Sequence, residues 1–466
     1  MRGALAAFAL LLGLAACKSG PDHVPPPAPA SKALASGAFL RAGDLPNAPV
    51  PTKWWEGLGD GQLNALVAKG LAEAPGPAAA EARLRQARAG LASTRAGLLP
   101  SGGASLLYAH AGLPEGAIGG GGSSDINLFN AGFDAQWEAD IWGGKRRDVE
   151  RAEAEAGAAE ARLADAQVML SAEIARSFVA LRGGYARLAL LGERHALEAR
   201  LVEIARRRFA GGTAPRQPLE AALARVLQTE AERAGVTAEV AVLNDALAVL
   251  TGQAPGELIA LSSSRIPLPP AEVTVGDPAA MLARRPDILM AERQLAAASA
   301  RIGMEQAKRF PTVSFMGLIG IGGTSGGDLF DVSKLSTIAL PRLSWNFLDF
   351  GRSKAAIAGA EAGRDAALAD YRGQVLAALQ DAEGALARYG AARTALARWT
   401  SGAGHAREIS RLQALRSRAG TLHPADAIEA QRQAIDVQLA EASARADLTL
   451  AYVSLAKALG LGWQND

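Results

Sequence analysis

Cysteine, aromatic residues and an excess of either charge are all scarce in this sequence. The single cysteine excludes an intramolecular disulfide bond. Aromatic residues make up 5% of the chain, which is low for several ordinary globular cores. The 49 lysines and arginines nearly balance the 47 aspartates and glutamates, so the charge does not indicate a nucleic-acid partner. The abundant residues are instead alanine, leucine, arginine and glutamate, which favour long helices.

Residues with metal-binding or catalytic chemistry are sparse too. The five histidines are scattered along the chain: His23, His110, His195, His405 and His423. The glycine run at 119–122 precedes a predicted strand, whereas a phosphate-binding loop joins a strand to a helix. Acidic pairs are frequent on the predicted helices, where they usually form solvated faces. We therefore expect no catalytic residue, no metal site and no cofactor, and we expect that the protein is not an enzyme.

A short apolar run occupies the N-terminus. Arg2 precedes the run at 4–14, a pattern typical of an export signal that is too short and too terminal for a transmembrane helix. Leu14-Ala15-Ala16-Cys17 resembles the bacterial lipobox, which implies that residues 1–16 are removed and that Cys17 is acylated. Lys18 follows in place of aspartate, which resembles lipoproteins forwarded to the outer membrane. The alternative is an ordinary signal peptide with an incidental cysteine.

Residues 17–52 are predicted to form an extended tether, because this segment is rich in proline, alanine and serine. Its Pro25-Pro26-Pro27 run cannot be helical. A short helix is predicted at 62–71 and a longer one at 77–98, where Pro100 ends it.

A two-residue period runs through residues 129–142. One alternate set is apolar: Phe129, Ala131, Phe133, Ala135, Trp137, Ala139 and Ile141. The other is small or polar: Asn130, Gly132, Asp134, Gln136, Glu138 and Asp140. This pattern predicts a strand with one apolar and one wet face, paired with a strand at 103–110. A sandwich strand would alternate in the same way, but aromatic residues in an exported lipoprotein favour a transmembrane barrel strand. Asp134, Gln136, Glu138 and Asp140 would then line the barrel lumen.

An unusually long helix is predicted from residue 145, because no proline occurs until after residue 214. Every seventh residue falls on a coiled-coil seam: Ile174, Leu181, Leu188, His195, Val202 and Phe209. About 65 helical residues would span on the order of 100 Å. A turn at 211–215 and a return helix at 218–250 complete a hairpin. No second metal-ligating residue accompanies His195, which is therefore predicted to be a packed or edge residue.

The second half of the chain repeats this order. The step from Pro75 to Pro100 is 25 residues, as is the step from Pro286 to Pro311. The repeat predicts a helix at 286–309, a strand with Val313, Phe315, Ile319 and Ile321 on one face, a glycine loop at 322–327, a strand at 335–347, a long helix at 353–419 and a return helix at 426–459. Residues 53–270 and 271–466 are accordingly predicted to be two repeats of one unit.

One segment carries a family resemblance. Arg285-Pro286-Asp287-Ile288, together with Glu292, Ala297, Ile302-Gly303, Ala307 and Phe310-Pro311, resembles the hallmark segment of outer-membrane efflux lipoproteins of the TolC/OprM (NodT-type) family. The resemblance extends from Cys17 to about Gly462. It implies a mainly α fold with a transmembrane β-barrel part, in which each protomer of a trimeric TolC-like channel gives four β-strands and long coiled-coil helices in a two-fold internal repeat. Independently, so few strands cannot close a barrel, and lipid does not tolerate an open sheet edge, so closure requires further copies of the chain.

The resemblance also assigns a periplasmic gate. The segment 420–430 is similar to the family's turn after the second long helix, where two acidic positions spaced three apart ring the closed entrance. These positions fall on Asp426 and Glu429, which share a helix face in a first turn that favours carboxylates. The alternative is that both merely cap this helix. The basic residue that links neighbouring helices in the family falls on Leu422, so this link is either missing here or supplied elsewhere, with Arg416 and Arg418 as candidates.

These features together predict the outer-membrane channel of a tripartite (RND-type) efflux pump. It would be a passive exit duct for drugs or other small molecules, fed by a periplasmic adaptor protein and an inner-membrane transporter. We expect a homotrimer anchored to outer-membrane lipid through Cys17, with a helical tunnel in the periplasm and no nucleic acid bound. The alternatives are an exit duct for type I protein secretion and a structural periplasmic coiled-coil lipoprotein.

Overall fold

Two β-hairpins from opposite halves of the sequence join in one antiparallel sheet. The strands are β1 (Ser101–Leu113), β2 (Ser124–Ala139), β3 (Thr312–Gly323) and β4 (Leu335–Ser344), in the order β1-β2-β3-β4. The computed structural model describes residues 19–29, 31–113, 124–257 and 265–463. β2 and β3 pair from Ala139 opposite Val313 to Phe129 opposite Gly323, so the two predicted repeats contribute to a single sheet.

Helices account for most of the remaining described chain. They are α1 (Lys32–Ser36), α2 (Gly61–Glu73), α3 (Pro75–Ala96), α4 (Gly144–Ala210), α5 (Gln217–Leu250), α6 (Pro278–Arg284), α7 (Pro286–Ala307), α8 (Arg352–Arg418) and α9 (Pro424–Ala458). Short 3₁₀ helices lie at Trp54–Leu58, Gly326–Phe330 and Val332–Lys334. The predicted fold class is confirmed, because two long helices of 67 residues each are followed by return helices in a two-fold repeat. No helix in the described ranges is long and apolar enough to cross a membrane.

Two similar turns end the long helices. Gly212 and Gly420 adopt φ values of 68° and 73°, a left-handed backbone that glycine enters without a steric penalty. The next residue, Thr213 or Thr421, then donates its backbone N–H to the carbonyl oxygen of Arg208 or Arg416 at 2.9 Å. α4 and α8 therefore end in the same type of turn, which is consistent with a repeated sequence unit.

The first compact unit contains the sheet and comprises, of the described residues, 19–27, 83–113, 124–159 and 290–371. Tryptophan side chains fasten its strand ends. The indole nitrogen of Trp137 donates to the carbonyl of Leu98 at 2.9 Å, and that of Trp142 donates to the carbonyl of Pro311 at 2.8 Å. These bonds hold strand ends against the ends of helical segments.

The second compact unit comprises residues 28–82, 160–289 and 372–466 and contains most of the buried helix seam. Ile174 and Leu181 of α4 are fully buried, whereas Phe209 near the turn is 44% exposed. On α8 the predicted seam residues Val375, Ala382 and Tyr389 are buried in the same way. The heptad pattern thus identified the packed face of both long helices, and the packing loosens toward the turn.

Some predicted boundaries were wrong. β2 ends at Ala139 rather than Trp142, because the carboxylate of Asp140 turns to accept backbone N–H bonds from Lys145 and Arg146 at 2.9 and 3.0 Å. β4 ends at Ser344 rather than near residue 347. β3 continues to Gly323, so the second glycine loop begins later than predicted. Residues 1–16, Cys17 and the glycine run at 119–122 lie outside the described residues.

Candidate functional site: the two-faced sheet and the tip of the second helix hairpin

One face of the sheet is apolar and exposed. Side chains of directly opposed residues in antiparallel strands lie on the same face, so the register fixes which residues share a side. Phe133 lies opposite Ala104 and Ile319, and Trp137 lies opposite Phe315 with their rings stacked 5.8 Å apart. Phe133 is 68% exposed within one chain. A continuous apolar surface of this kind is typical of contact with a membrane or a partner.

The opposite face carries the predicted lumen residues of β2. Asp134, Gln136 and Glu138 follow one another at two-residue spacing and share this face. The carboxylate of Asp134 lies over Gly103 on β1, where an added Cβ atom would come within 3.3 Å of an oxygen of Asp134. Asp140 differs from these three, because it lies beyond the end of β2 and caps α4 through the bonds described above.

The same face is apolar where β3 and β4 form it. Leu318 lies between Asp134 and Ile338, and Met316 lies between Gln136 and Leu340. The alternation read from β2 did not indicate these residues, since it described one strand only. The sequence of β3 did contain this information, because Met316 and Leu318 make it apolar on both faces. The face therefore combines carboxylates on β2 with an apolar strip on β3 and β4.

At the tip of the second hairpin, Glu429 is held in ion pairs. Arg432 donates to it at 2.9 Å along α9, and Arg225 of α5 donates to it at 3.2 Å. The hydrogen bond from Arg432 is the main reason why the pKa of Glu429 lies below its usual value. The arginines that donate to Glu429 are thus Arg432 and Arg225, and neither is one of the candidates Arg416 and Arg418 that the sequence suggested for the link between helices.

Asp426 differs from Glu429. It is exposed in the first turn of α9, and no salt bridge to it is found among the described residues. The cap of this helix is His423, whose Nδ1 accepts the backbone N–H of Ala425 at 3.1 Å. The capping hydrogen bond of α9 is therefore made by His423 rather than by either carboxylate.

A partly buried charge network continues from the tip into the hairpins. Arg194 of α4 is 11% exposed and donates to Thr229 at 3.1 Å, to Glu232 and to Asp436 of α9 at 3.4 Å. Thr229 in turn donates its hydroxyl to Glu198, which is 3% exposed, at 2.6 Å. Arg432 also pairs with Asp436 at 2.9 Å. α4, α5 and α9 are thus joined by paired charges, which the separate helix patterns could not reveal.

The hallmark arginine and aspartate form a buried clamp. Arg285 binds Asp287 through two bonds, from Nε at 3.0 Å and from Nη2 at 2.6 Å, and its Nη1 donates to the carbonyl of Ala458 at 2.8 Å. Gln374 of α8 donates to the same carboxylate at 2.7 Å. Burial alone would raise the pKa of Asp287, but the bonds from Arg285 and Gln374 hold it below its usual value. The motif therefore ties the start of α7 to α8 and to the end of α9.

The described residues were also compared with known types of metal and catalytic site. They contain no group of three or more histidine, cysteine, aspartate or glutamate side chains that could hold a metal ion. His195 contacts Glu230 at 3.1 Å at the edge of the seam. A Gly-x-Ser-x-Gly pattern occurs at 323–327, but its Ser325 caps the 3₁₀ helix at Gly326–Phe330 and exchanges hydrogen bonds with Asp328. It is therefore not a nucleophile on a strand-to-helix turn.

Comparison with known proteins identifies the family to which this architecture belongs. The family model described as "Outer membrane efflux protein" matches residues 66–253 and 278–461. The chain belongs to the outer membrane efflux protein family. The family, the TolC-like fold, the outer-membrane location and the function as an efflux channel are thereby confirmed.

Relatives in this family align over nearly the whole chain. Outer membrane protein OprJ of Pseudomonas aeruginosa is 27% identical over 462 residues, covering 98% of this chain and 96% of OprJ. The pyoverdine export outer membrane protein OpmQ of the same species is 30% identical over 479 residues, covering 98% of this chain and 96% of OpmQ. The solved outer-membrane channel OprN has a TM-score of 0.87 and 30% identity, covering 96% of this chain and all of OprN.

Proposed function

We propose that this outer membrane efflux protein acts as a homotrimer, in which three sheets close one barrel and the helix hairpins form a tunnel. The observation that carries this is the single sheet, whose exposed apolar face and opposite mixed face match lipid on one side and water on the other. Among the described residues, β1 and β4 each have one edge that pairs with no other strand. Joining them between copies removes the open edges that lipid does not tolerate.

The duct would be passive and would carry drugs or other small molecules. It would receive them from a periplasmic adaptor protein and an inner-membrane transporter, without chemistry of its own. Asp134, Gln136 and Glu138 would line the barrel lumen beside the apolar strip of Met316, Leu318, Ile338 and Leu340. The predicted order of the chain is a signal peptide at 1–16, an acylated tether at 17–52 and repeats at 53–270 and 271–466.

The gate would lie at the tip of the second hairpin. Three exposed Asp426 carboxylates around one axis would repel one another and attract cations. Glu429 would have a different role, since its charge is already offset by Arg432 and Arg225. We assign the cation site to Asp426 and the link between hairpins to Glu429.

Reconstitution tests the proposal as a whole. The purified full chain should run as a heat-modifiable, detergent-resistant trimer on a gel and should conduct ions in planar bilayers. A structural coiled-coil lipoprotein would give neither result. A protein-secretion duct would conduct as well, but deletion of the gene would then stop the export of a protein rather than raise sensitivity to small molecules.

A further inference from the structure

Residues 19–23, which lie in the predicted extended tether at 17–52, are bound in the first compact unit. The guanidinium of Arg147 is the centre of this contact. Its Nε donates to the carbonyl of Ser19 and its Nη2 to the carbonyl of Gly20, both at 2.8 Å, while Nη1 contacts Asp22 at 3.0 Å and Glu150 at 2.7 Å. Arg147 is only 2% exposed. Without the segment, this cation would lose three of its four acceptors, the carbonyl oxygens of Ser19 and Gly20 and the carboxylate of Asp22, which is costly.

Two glycines make the close approach possible. A Cβ atom added to Gly303 of α7 would lie 2.5 Å from the carbonyl oxygen of Ser19 and 2.8 Å from Cγ of Arg147. A Cβ atom added to Gly20 would lie 2.5 Å from Cα of Gly303, and Gly20 also has a φ of 82°. A side chain on either glycine would therefore collide with the facing backbone and would separate the segment from α7.

Both ends of the segment are fixed as well. The backbone N–H of Ser19 donates to the carbonyl of Trp142 at 3.1 Å, at the junction between β2 and α4. Nε2 of His23 contacts Oε1 of Glu292 on α7 at 2.7 Å. Terminal segments are usually loose unless they are tied down, and here five consecutive residues are tied at the start, the middle and the end.

We propose that Arg147, Glu292 and Gly303, here called the N-terminal seat, form a receptor for residues 19–23 that fixes where the lipid anchor leaves the protein. The placement of the anchor rests on the acylation of Cys17 proposed above. Ser19 is the second residue after Cys17, so the two are at most about 7 Å apart along the chain. The acyl chains therefore enter the bilayer beside the β2–α4 junction, and residues 24–52 do not act as a spacer between lipid and channel. Two hallmark positions, Glu292 and Gly303, thereby gain a role in recognising the chain's own N-terminus.

Hydrogen exchange measured by mass spectrometry on the full-length protein in detergent tests the seat. Three variants should each release the segment from the seat. Gly303→Ala and Gly20→Ala introduce a steric clash, and Arg147→Met removes the donors to Ser19 and Gly20. Gly90→Ala is the matched control, because no atom lies within 4 Å of the Cβ atom added there. We expect exchange in peptides that begin at Ser19 to be about tenfold faster or more in the three seat variants, because local opening becomes easier. Peptides from β2 and α4, and the control variant, should match the parent.

Equal protection in the parent, Gly303→Ala and Gly20→Ala would overturn the seat, as would a parent segment that exchanges at the rate of a free peptide. Gly20→Ala keeps the test valid if Gly303→Ala fails to assemble, since it changes only the segment and leaves the helices intact. Conductance of the same preparations reports on the channel separately, so a failed seat and a failed channel are distinguishable.

A photoactivatable fatty acid, incorporated by cells that produce the protein, tests the placement of the anchor. In the parent, crosslinks should concentrate in the peptide around Trp142, and in Gly303→Ala they should spread over the protein. Crosslinks spread equally in both proteins would overturn the fixed placement. Absence of the label on the parent would show that Cys17 is not acylated and would refute the anchor, while the exchange data would still decide the seat.

Discussion

Arg225 donates to Glu429 at 3.2 Å although 204 residues separate them in the sequence. Arg225 lies on α5 and Glu429 on α9, so their ion pair joins the return helices of the two hairpins near the turns. An isolated surface ion pair contributes little to stability. This pair is part of the network through Arg432, Asp436 and Arg194, which reaches a buried interior. The tip is therefore held by coupled charges rather than by one contact.

The gate assignment predicts different effects for the two acidic residues. In planar bilayers, Asp426→Asn should lower cation selectivity and block by divalent ions, because the exposed carboxylate is removed. Glu429→Gln should leave the block nearly unchanged but should raise the probability of the open state, because the link to Arg225 is lost. The double variant should show both effects. Asp370→Asn, a change at another exposed aspartate, is the control, and a double variant that is blocked like the parent would place the entrance elsewhere.

The pKa of Glu429 gives this link a pH dependence. Because the folded state lowers this pKa below its ordinary value of 4.5, the link stabilises the tip above about that pH and is lost as the pH falls through the folded value. Open probability of the parent channel should therefore rise below pH 4.5, and Glu429→Gln should show this rise less. An identical acid response in both proteins would mean that other groups control it.

The two faces of the sheet predict unequal effects of one substitution. Phe133→Arg should impair trimer assembly, because a charge facing lipid near the bilayer midplane costs about 2–4 kcal/mol. Gln136→Arg, three residues away on the opposite face, should assemble nearly as well as the parent. Heat-modifiable trimers on a gel are the measurement, and equal damage at both positions would contradict the face assignment.

The lipid anchor has a simple chemical test. Cys17→Ser should abolish fatty-acid labelling, because the sequence holds no other thiol that could carry a thioether-linked lipid. Trimers should persist, since the barrel also holds the protein in the membrane. A parent protein with no fatty-acid label and an unmodified mass would refute the acylation.

The buried clamp of Arg285 and Asp287 predicts a loss of stability when Arg285 is replaced. Arg285→Ala should destabilise the fold by about 3–5 kcal/mol, as expected when one partner of a buried ion pair is removed.

A substitution at Asp165 should have the opposite effect on stability. Burial, together with the nearby charge of Asp287, raises the pKa of Asp165 above the usual 3.8. Its charged form therefore costs stability above that pH, so Asp165→Asn should raise the melting temperature at pH 7 and have no effect below pH 3.8. Asp447→Asn, at an exposed position of α9, should change little at either pH.

Local signals in the sequence predicted the elements well. Pro286 and Pro311 bracket α7, and the Gly-Thr turns end both long helices within a few residues of the predicted positions. Such boundaries depend on neighbouring residues only. The strand end at Ala139 was missed because it depends on Asp140 capping the next helix.

Contacts between distant segments could not be predicted in this way. The pairing of Glu429 with Arg225 requires the relative register of α5 and α9, and neither helix's own pattern contains it. The same holds for Arg147 and Gly303, which meet residues 19–23 across more than a hundred residues of sequence. The proline-rich composition after residue 23 predicted an extended tether, and composition does not show that its first residues are bound.

The pairing of β2 with β3 has a consequence for how this chain arose. β1–β2 and β3–β4 are equivalent hairpins, and β2–β3 joins them across the boundary between repeats. In the proposed trimer, β4 of one protomer would pair with β1 of the next in antiparallel orientation, as β2 pairs with β3. Every hairpin would then have the same kind of neighbour on each side. An ancestor of half the length could have closed the same ring from six copies, and gene fusion would later have allowed the two halves to diverge.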